Sequence, residues 1–481
     1  MKNQDSTEIV DSKGQEAGIG RRKFLQIGAA GAAATAVGTG AFGAGASSAE
    51  AAVGVNKKKF AGSTVKILLV DGERDQNGLQ DKLQYIKDTY GITVEVDVLA
   101  LGAQIGKTQT VLHAKTSTYD IIDNLGFTVS GVVGAGLYTK LNSYIADKSA
   151  TPANYNFPKD WPAGQLDYIS FYDRKNNKFG GKDVYLIPGM HSGSVIMFYR
   201  KDLLEAANLS VPKTWDEYLT VAQKLNSGSV SGTSMIGAND VSLILVDWYA
   251  RFASMGGKLM SGTPGGKNYT PHLDSPIALK ALQHMVDCAK VSPNGVSSFG
   301  FTETVDAFSR GNVGIMTMWS TIGGSIFNPA TSKVASTAAT ALIPGASATS
   351  AGHPIRGGWG LGIPNNLPKK RKDAAWLVMT YITSSEFDKY QFGNYQTDPN
   401  RRSTWADLTL SAKYPYIKNA GAAMETASIL DVAVVPETFE LVGEAAREFN
   451  LAISGTQDVA TSCANAQASW IKILKRQGYL A

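Results

Sequence analysis

The region after residue 51 predicts an α/β fold, because short apolar runs alternate with amphipathic segments of helical spacing. The runs VKILLV and ITVEVDVL are typical of strands, and the segment between them places Leu79, Leu83 and Ile86 on one helix face. The predicted strands and helices alternate in the order 65–70, 79–90, 92–99, 104–115 and 119–124. Strands that alternate with helices in this way form mostly parallel sheets with helices on their faces.

Signals for helix starts recur later in the chain. Thr214 and Glu217 have the spacing of a capping box, in which the threonine hydroxyl accepts from a backbone amide while the glutamate reaches back. Pro276 follows a serine and opens another helix. We further expect a strand at 360–363, a helix at 373–382, and two helices in the tail 437–474 that break near Gly455.

Composition and charge exclude several classes of protein. Of the 481 residues, 43% are hydrophobic and 18% charged, which suits a chain with a sizeable core and not a disordered one. The net charge is only +5 and no long basic block occurs, which argues against a nucleic-acid partner. Two cysteines, Cys288 and Cys463, exclude a disulfide-rich scaffold and a four-cysteine zinc site. The sequence leaves open whether these two cysteines form a disulfide bond.

The first 51 residues resemble a twin-arginine export signal. Arg21 and Arg22 precede a stretch of small residues, 27–46, and Ala49 and Ala51 supply the small residues of a cleavage site. Alanine and glycine give too little transfer free energy for a stable membrane span, and no cysteine lies near the cleavage site for lipid attachment. We therefore expect residues 1–51 to be a signal peptide, and the mature protein to be periplasmic and not a lipoprotein.

Motifs for catalysis, phosphate binding and metal binding are missing from the sequence. The five histidines make no H-x-x-x-H pair, and there is no G-x-S-x-G nucleophile elbow. Residues 101–108 (LGAQIGKT) approach a P-loop, but Leu101 stands where the first glycine is required, so we interpret them as a helix start. The sequence therefore predicts no catalytic residues, no metal site and no cofactor.

Five motifs in order carry a family resemblance. They are VYLIPG at 184–189, VIMFYRKDLL at 195–204, NLSVPKTWDE at 208–217, FSRGNVGIMTMW at 308–319, and GGWGLGIP at 357–364 with AAW at 374–376. This set resembles the sugar-binding group of extracellular solute-binding proteins of ABC importers. The resemblance covers about residues 60–400, which is most of the predicted mature chain.

The resemblance implies a periplasmic-binding-protein fold of type II, in which two α/β lobes, each with a mostly parallel sheet and flanking helices, close on a solute in the cleft between them. Crossings near Pro188 and Gly357 then assign residues 52–190 and 355–400 to the N-terminal lobe, and 191–354 and 401–481 to the C-terminal lobe. The resemblance also implies a small-molecule solute, the membrane permease of an ABC importer as partner, and a monomeric protein.

The function implied is binding of a sugar or oligosaccharide and its delivery to the permease. A polyamine or an anionic solute is the alternative within the same class. An exported carbohydrate-active enzyme is the alternative outside it, but such an enzyme needs a close pair of acidic groups, and no spacing in the sequence marks one.

Most candidate ligand-binding residues follow strands whose ends face the implied cleft, and Trp248 lies in a helix-like run that supplies an aromatic wall in the family that the sequence resembles. A sugar offers C–H faces to aromatic rings and hydroxyl groups to polar side chains. The candidates are Glu73, Arg74, Asn124, His191, Ser192, Trp248, Trp319, Ser320, Gly358 and Trp359.

Other tryptophans and polar residues have different expectations. The helix-borne tryptophans Trp215, Trp376 and Trp470 are expected to be packing residues, and Trp248 stays open between core and cleft. Tyr395, Arg401 and Arg402 are expected to form a polar loop that is solvated, with contact to the ligand as the alternative.

Overall fold

The structure of the protein is a computed structural model that describes residues 54–71, 75–239 and 243–481, without the side chains of Asp75 and His191. The predicted signal peptide, residues 1–51, lies outside the described residues. Residues 52–481 form one compact unit. Among the helices in the described ranges, none combines the length and the apolar character needed to cross a lipid bilayer.

The described residues form twelve strands: β1 (Thr64–Val70), β2 (Thr93–Leu99), β3 (Ile121–Leu125), β4 (Phe171–Asp173), β5 (Lys178–Val184), β6 (Leu186–Arg200), β7 (Ser231–Ser234), β8 (Met260–Ser261), β9 (Thr270–Pro271), β10 (Val313–Trp319), β11 (Ala338–Ala341) and β12 (Arg356–Gly362).

The helices are α1 (Asp75–Tyr90), α2 (Leu101–His113), α3 (Val129–Gly134), α4 (Asn142–Ala146), α5 (Ala163–Gln165), α6 (Lys201–Ala206), α7 (Trp215–Leu225), α8 (Leu243–Ser254), α9 (Pro276–Ala289), α10 (Phe301–Ser309), α11 (Gly323–Ile326), α12 (Lys369–Ile382), α13 (Ser385–Tyr395), α14 (Arg402–Trp405), α15 (Leu408–Lys413), α16 (Ile417–Thr426), α17 (Thr438–Ile453) and α18 (Val459–Arg476). Single turns of 3-10 helix include Gly126–Thr128, Ser320–Ile322 and Asp431–Val434.

The main sheet joins both halves of the molecule. Its strand order is β2-β1-β3-β12-β6-β10-β7, with β11 also paired to β6. The pairs β1–β2, β1–β3 and β7–β10 are parallel, whereas β12 and β6 run antiparallel to their neighbours. The sheet is therefore mixed, because the strands that connect the two halves return in the opposite direction.

Strand β6 is 15 residues long and passes from one half to the other. Its first part, up to Ser194, pairs with β12, and its second part, from Val195, pairs with β10. The predicted α/β architecture with two lobes is confirmed, and β6 is the first crossing between them.

Local sequence signals explain the elements that were predicted. The order β1-α1-β2-α2-β3 is confirmed, and α2 begins at Leu101, so the P-loop-like residues are the first turns of a helix. The capping box of α7 is present, because the Glu217 amide donates to the Thr214 hydroxyl at 3.1 Å while the Glu217 carboxylate accepts from the Thr214 amide. The tail forms α17 and α18, which are separated near Gly455 as expected.

Trp248 is a core residue of the second lobe, which decides between its two predicted roles. The indole is fully buried, its Nε1 donates to the Ala278 carbonyl at 3.2 Å, and its ring stacks on Phe252 at 4.6 Å between centroids. It also packs on Phe449 of α17. No face of the ring is left for a solute, so Trp248 is corrected from a cleft candidate to a packing residue.

The remaining packing predictions hold. Trp215, Trp376 and Trp470 are all buried in helix interfaces, as expected. Cys288 and Cys463 are buried and unpaired, so the question of a disulfide is answered by two free thiols.

Two further segments run between the lobes. The amide of Arg356, at the start of β12, donates to the Ser428 carbonyl at 2.9 Å. Beyond residue 428 the chain contacts both lobes, because the Tyr249 hydroxyl of the second lobe donates to the Ile429 carbonyl and Ser130 of the first lobe donates to the Ala433 carbonyl. Residues 428–433 therefore form a third crossing beside β6 and β12.

Arg401 lies inside the first lobe, contrary to the expected solvated loop. Its side chain is 1% exposed, and its guanidinium lies 3.6 Å from the centroid of the Trp161 ring. Nη1 donates to the Tyr155 carbonyl at 2.8 Å and forms an ion pair with Asp160 at 3.2 Å. These partners all belong to the predicted N-terminal lobe, so the predicted boundary at residue 400 falls within a packed group.

Candidate ligand-binding cleft

The carboxyl ends of the parallel strands in both lobes converge on the crossing strands. In the second lobe, Trp319 at the end of β10 pairs with Val195 of β6. In the first lobe, Leu125 at the end of β3 pairs with Trp359 of β12. Since ligands of open α/β sheets bind outside the carboxyl ends of strands, this convergence marks the candidate cleft.

Trp319 is the aromatic candidate at the end of β10, beside the crossing strand β6, and its place in the cleft stays a prediction. The residue is partly buried at the point where β10 gives way to the 3-10 turn Ser320–Ile322. Its indole lies against Gly357 of β12, because a Cβ atom at Gly357 would come within 2.8 Å of the indole Cζ3. A flat apolar ring laid on a glycine backbone forms a wall suited to the C–H face of a polyhydroxylated solute.

Trp359 and Gly358 lie next to this wall on β12. Trp359 is only 6% exposed and pairs with Leu125 at the end of β3, and its contact with a solute stays a prediction. Gly358 pairs with Ser192 of β6, and the ladder between the two strands is irregular between Gly358 and Gly360.

Asn124 holds the turn after β3. Its Nδ2 donates to the Leu125 carbonyl and to the Thr128 hydroxyl, both at 3.0 Å, and its Oδ1 accepts from the Tyr138 hydroxyl at 3.3 Å. The residue is 1% exposed. In this structure the amide therefore shapes the first-lobe wall of the cleft, and its contact with a solute stays a prediction.

Ser192 and Ser320 are buried at the crossing and bond to a segment that the sequence analysis did not select. The Ser192 hydroxyl donates to the Pro399 carbonyl at 3.1 Å. The Ser320 hydroxyl donates to a carboxylate oxygen of Asp398 and accepts from the Ser194 amide at 3.1 Å. The structure thus brings both serines to residues 398–399, which follow α13.

The structure does not describe three of the predicted site side chains. Glu73 and Arg74 lie outside the described residues, between β1 and α1, and the side chain of His191 is likewise outside them. Their positions along the chain, next to the end of β1 and within β6, keep all three as predictions.

The sequence does not indicate the roles of two residues near the candidate site, Asp398 and Gly357. Asp398 is 1% exposed, although Asp-Pro-Asn after a helix is a pattern typical of a surface turn. The sequence indicates Gly357 only as part of a family motif, whereas in the structure its lack of a Cβ makes room for the Trp319 indole. Neither signal is visible in local sequence, because the partners are 78 and 38 residues away.

One buried cation lies at the crossing. Arg356 is 2% exposed, and its Nη2 donates to the Met424 carbonyl at 2.8 Å. Burial lowers the pKa of Arg356 to about 10, while Tyr168, Asp167 and Glu425 act in the opposite direction. At neutral pH this arginine stays charged and fixes β12 against α16.

Within the described ranges, no group of three or more His, Cys, Asp or Glu side chains is placed to hold a metal ion.

The fold and the cleft together define a two-lobed binding protein of the periplasmic type. Residues 72–389 match the sequence profile of the bacterial extracellular solute-binding protein family. The chain belongs to this family.

Known relatives agree on this class. A probable amino-acid ABC transporter periplasmic-binding protein of Sinorhizobium fredii is 25% identical over 430 residues, which are 88% of this chain and 92% of that protein. The mannitol-binding protein of Pseudomonas aeruginosa is 26% identical over 325 residues, 62% of this chain and 70% of that protein. A solute-binding protein of Agrobacterium radiobacter K84, solved with ribitol, superposes with a TM-score of 0.73 at 21% identity, covering 86% and 99% of the two chains.

Proposed function

We propose that the protein binds a sugar or a sugar alcohol in the cleft and delivers it to the membrane permease of an ABC importer. The observation that carries the proposal is the Trp319 indole on Gly357, beside a turn that begins with a serine. An aromatic face next to hydroxyl and backbone groups matches a neutral solute with many hydroxyls. Two similar proteins point the same way, since one is named for mannitol and the other was solved with ribitol.

A polyamine or an anion is a weaker match to these residues. A polyamine requires several carboxylates around an aromatic box, whereas the Asp398 carboxylate, which bonds to the residue after Trp319, is buried and accepts from Ser320. The Sinorhizobium relative is named as a probable amino-acid binding protein, so a charged solute is also tested below.

We propose that the protein has no catalytic activity of its own, which is in keeping with relatives named for binding.

A thermal-shift screen tests the proposal directly. The mature chain from residue 52 would be heated with ribitol, D-mannitol, maltose, spermidine, glutamate and glucose 6-phosphate. We expect a sugar or sugar alcohol to raise the melting temperature, since a ligand at 100 times its dissociation constant adds about 2.7 kcal/mol of stability. A response to spermidine, glutamate or the phosphorylated sugar alone would overturn the neutral-solute proposal.

We propose that binding closes the lobes and that the working protein is a monomer. The lobe assignment is that predicted from sequence, 52–190 and 355–400 against 191–354 and 401–481, with Arg401 moved to the first lobe on its contacts. Three crossing segments that contact both lobes are a suitable hinge. The surface that meets the permease then consists of residues from both lobes.

Export by the twin-arginine route is the proposed path to the periplasm. The basis is the pair Arg21 and Arg22 before a stretch of small residues. Replacing both arginines by lysine is expected to leave the precursor in the cytoplasm, as cell fractionation would measure. Export of the lysine variant at the normal rate would contradict this route.

A further inference from the structure

The segment 397–401 is buried, has no regular secondary structure and is anchored in the first lobe. The amides of Asn400 and Arg401 donate to the Asp388 carboxylate, the former at 2.9 Å. The Asn400 side chain accepts from Gln165 at 2.9 Å. Together with the contacts of Arg401 to Tyr155 and Asp160, these bonds fix the segment to first-lobe helices.

From this anchor, Asp398 reaches the second lobe. One of its carboxylate oxygens accepts from the Ser320 hydroxyl, and the same hydroxyl oxygen accepts from the Ser194 amide at 3.1 Å. Trp319 pairs with Val195, so the Ser320 hydroxyl extends the β10–β6 ladder one step beyond the last backbone pair. The Asp398 carboxylate sets the direction of the hydroxyl proton and leaves an oxygen lone pair for the Ser194 amide.

Gly193 of β6 lies close to Thr321, Asp398 and Ser320. A Cβ atom there would lie 2.9 Å from the Thr321 methyl group and 3.6 Å from both the Asp398 carboxylate and the Ser320 hydroxyl. Trp319 lies directly before this junction, with its ring on Gly357, so the backbone direction at Ser320 determines where the indole is presented.

We propose that Asp398 is a positioning residue for the solute wall: a carboxylate held by the first lobe fixes the Ser320 turn and thereby the orientation of Trp319 on the second lobe. The proposal rests on the proposed function only where it concerns affinity. The position of the indole itself can be measured without any solute.

The first test is ligand-free. The chain contains eight tryptophans, and all lie beyond residue 51, so a nitrogen-proton NMR spectrum of the mature protein contains at most eight indole signals. Trp319→Phe assigns the Trp319 signal. We expect Asp398→Ala to shift this signal while the buried Trp470 signal stays in place. Asp407→Ala is the matched control, because Asp407 caps α15 and pairs with Lys389 without contacting Ser320.

The second test uses D-mannitol as the probe in calorimetric titrations. Asp398→Ala is expected to weaken binding about tenfold, in the range for losing a hydrogen bond to a charged group. Asp398→Asn retains an oxygen acceptor for Ser320 and is expected to restore most of the affinity. In the Trp319→Ala background, Asp398→Ala should have no further effect, because the wall that it positions is gone.

Different results separate the two proposals. If no variant or wild-type chain binds D-mannitol but the Trp319 signal moves in Asp398→Ala, the positioning role stands and the choice of solute fails. If the Trp319 signal is unmoved in a folded Asp398→Ala protein, the positioning role is wrong. Ser320→Ala removes the other partner of the same bond and takes the place of Asp398→Ala if the latter does not fold; an unmoved Trp319 signal in Ser320→Ala overturns the proposal equally.

Discussion

Replacing Trp319 by alanine is expected to weaken solute binding by roughly 2–4 kcal/mol, the range of truncated aromatic hot spots. The ring is partly buried at the end of β10, lies on Gly357 and also packs against neighbouring core residues. We expect its removal to delete contact area from the proposed cleft while most of the core stays filled. The melting temperature of the solute-free protein should change little. Calorimetric titration and thermal melting of the same variant measure both quantities.

Two further variants sharpen this result. Trp470→Ala removes a fully buried indole that donates to the Leu441 carbonyl, and it should lower stability by about 3–5 kcal/mol. Gly357→Ala retains the Trp319 side chain but puts a methyl carbon 2.8 Å from its ring. The ring must then shift, so this variant should weaken solute binding as well. Gly443→Ala, where nothing lies within 4 Å of the added carbon, is its control. If the Trp319→Ala protein binds with normal affinity but has a strongly lowered melting temperature, the ring belongs to the core.

Arg401→Ala is expected to cost about 3–5 kcal/mol of stability, because it removes the cation that pairs with the largely buried Asp160 carboxylate, which still accepts from Ser403. Four contacts are lost together: the ion pair with Asp160, the bonds to the carbonyls of Tyr155 and Thr383, and the stacking on Trp161. Arg401→Lys should rescue little, since an ammonium group cannot reproduce the planar fork or the stacking. Urea unfolding of the mature chain measures the change.

The neighbouring residue provides a matched control. Arg402 pairs with Glu425 at 2.7 Å, but both side chains are about two-fifths exposed. Exposed pairs contribute about 0–1 kcal/mol, so Arg402→Ala should be nearly neutral. Equal losses for the two alanine variants would contradict the structural role assigned to Arg401.

Local patterns were sufficient to predict the first five elements, from β1 to β3, and the starts of α7 and α9. The β1-α1-β2-α2-β3 order depends on apolar periodicity, and the Thr214–Glu217 capping box depends on contacts within one turn. Both signals are contained in a few consecutive residues. The sequence therefore predicted them without knowledge of the packing partners.

The distinction between Trp248 and Trp319 could not be made in the same way. Both are tryptophans in largely apolar surroundings, yet Trp248 is enclosed by Phe252 and Phe449, whereas Trp319 is partly buried and lies on Gly357. The partners that decide the outcome are distant in sequence. The same holds for Asp398, whose turn-like context gives no sign that Ser320 and the crossing strand enclose it.

The course of β6 has a consequence for how the protein loses its structure. One continuous strand supplies backbone partners to β12 on one side and to β10 and β11 on the other. Unfolding of either lobe would leave half of this strand with unpaired backbone amides and carbonyls. Such an exposed strand edge can pair with another chain. The two lobes are therefore thermodynamically coupled: neither half is a separate folding unit, and a lobe expressed alone would carry an open edge prone to aggregation.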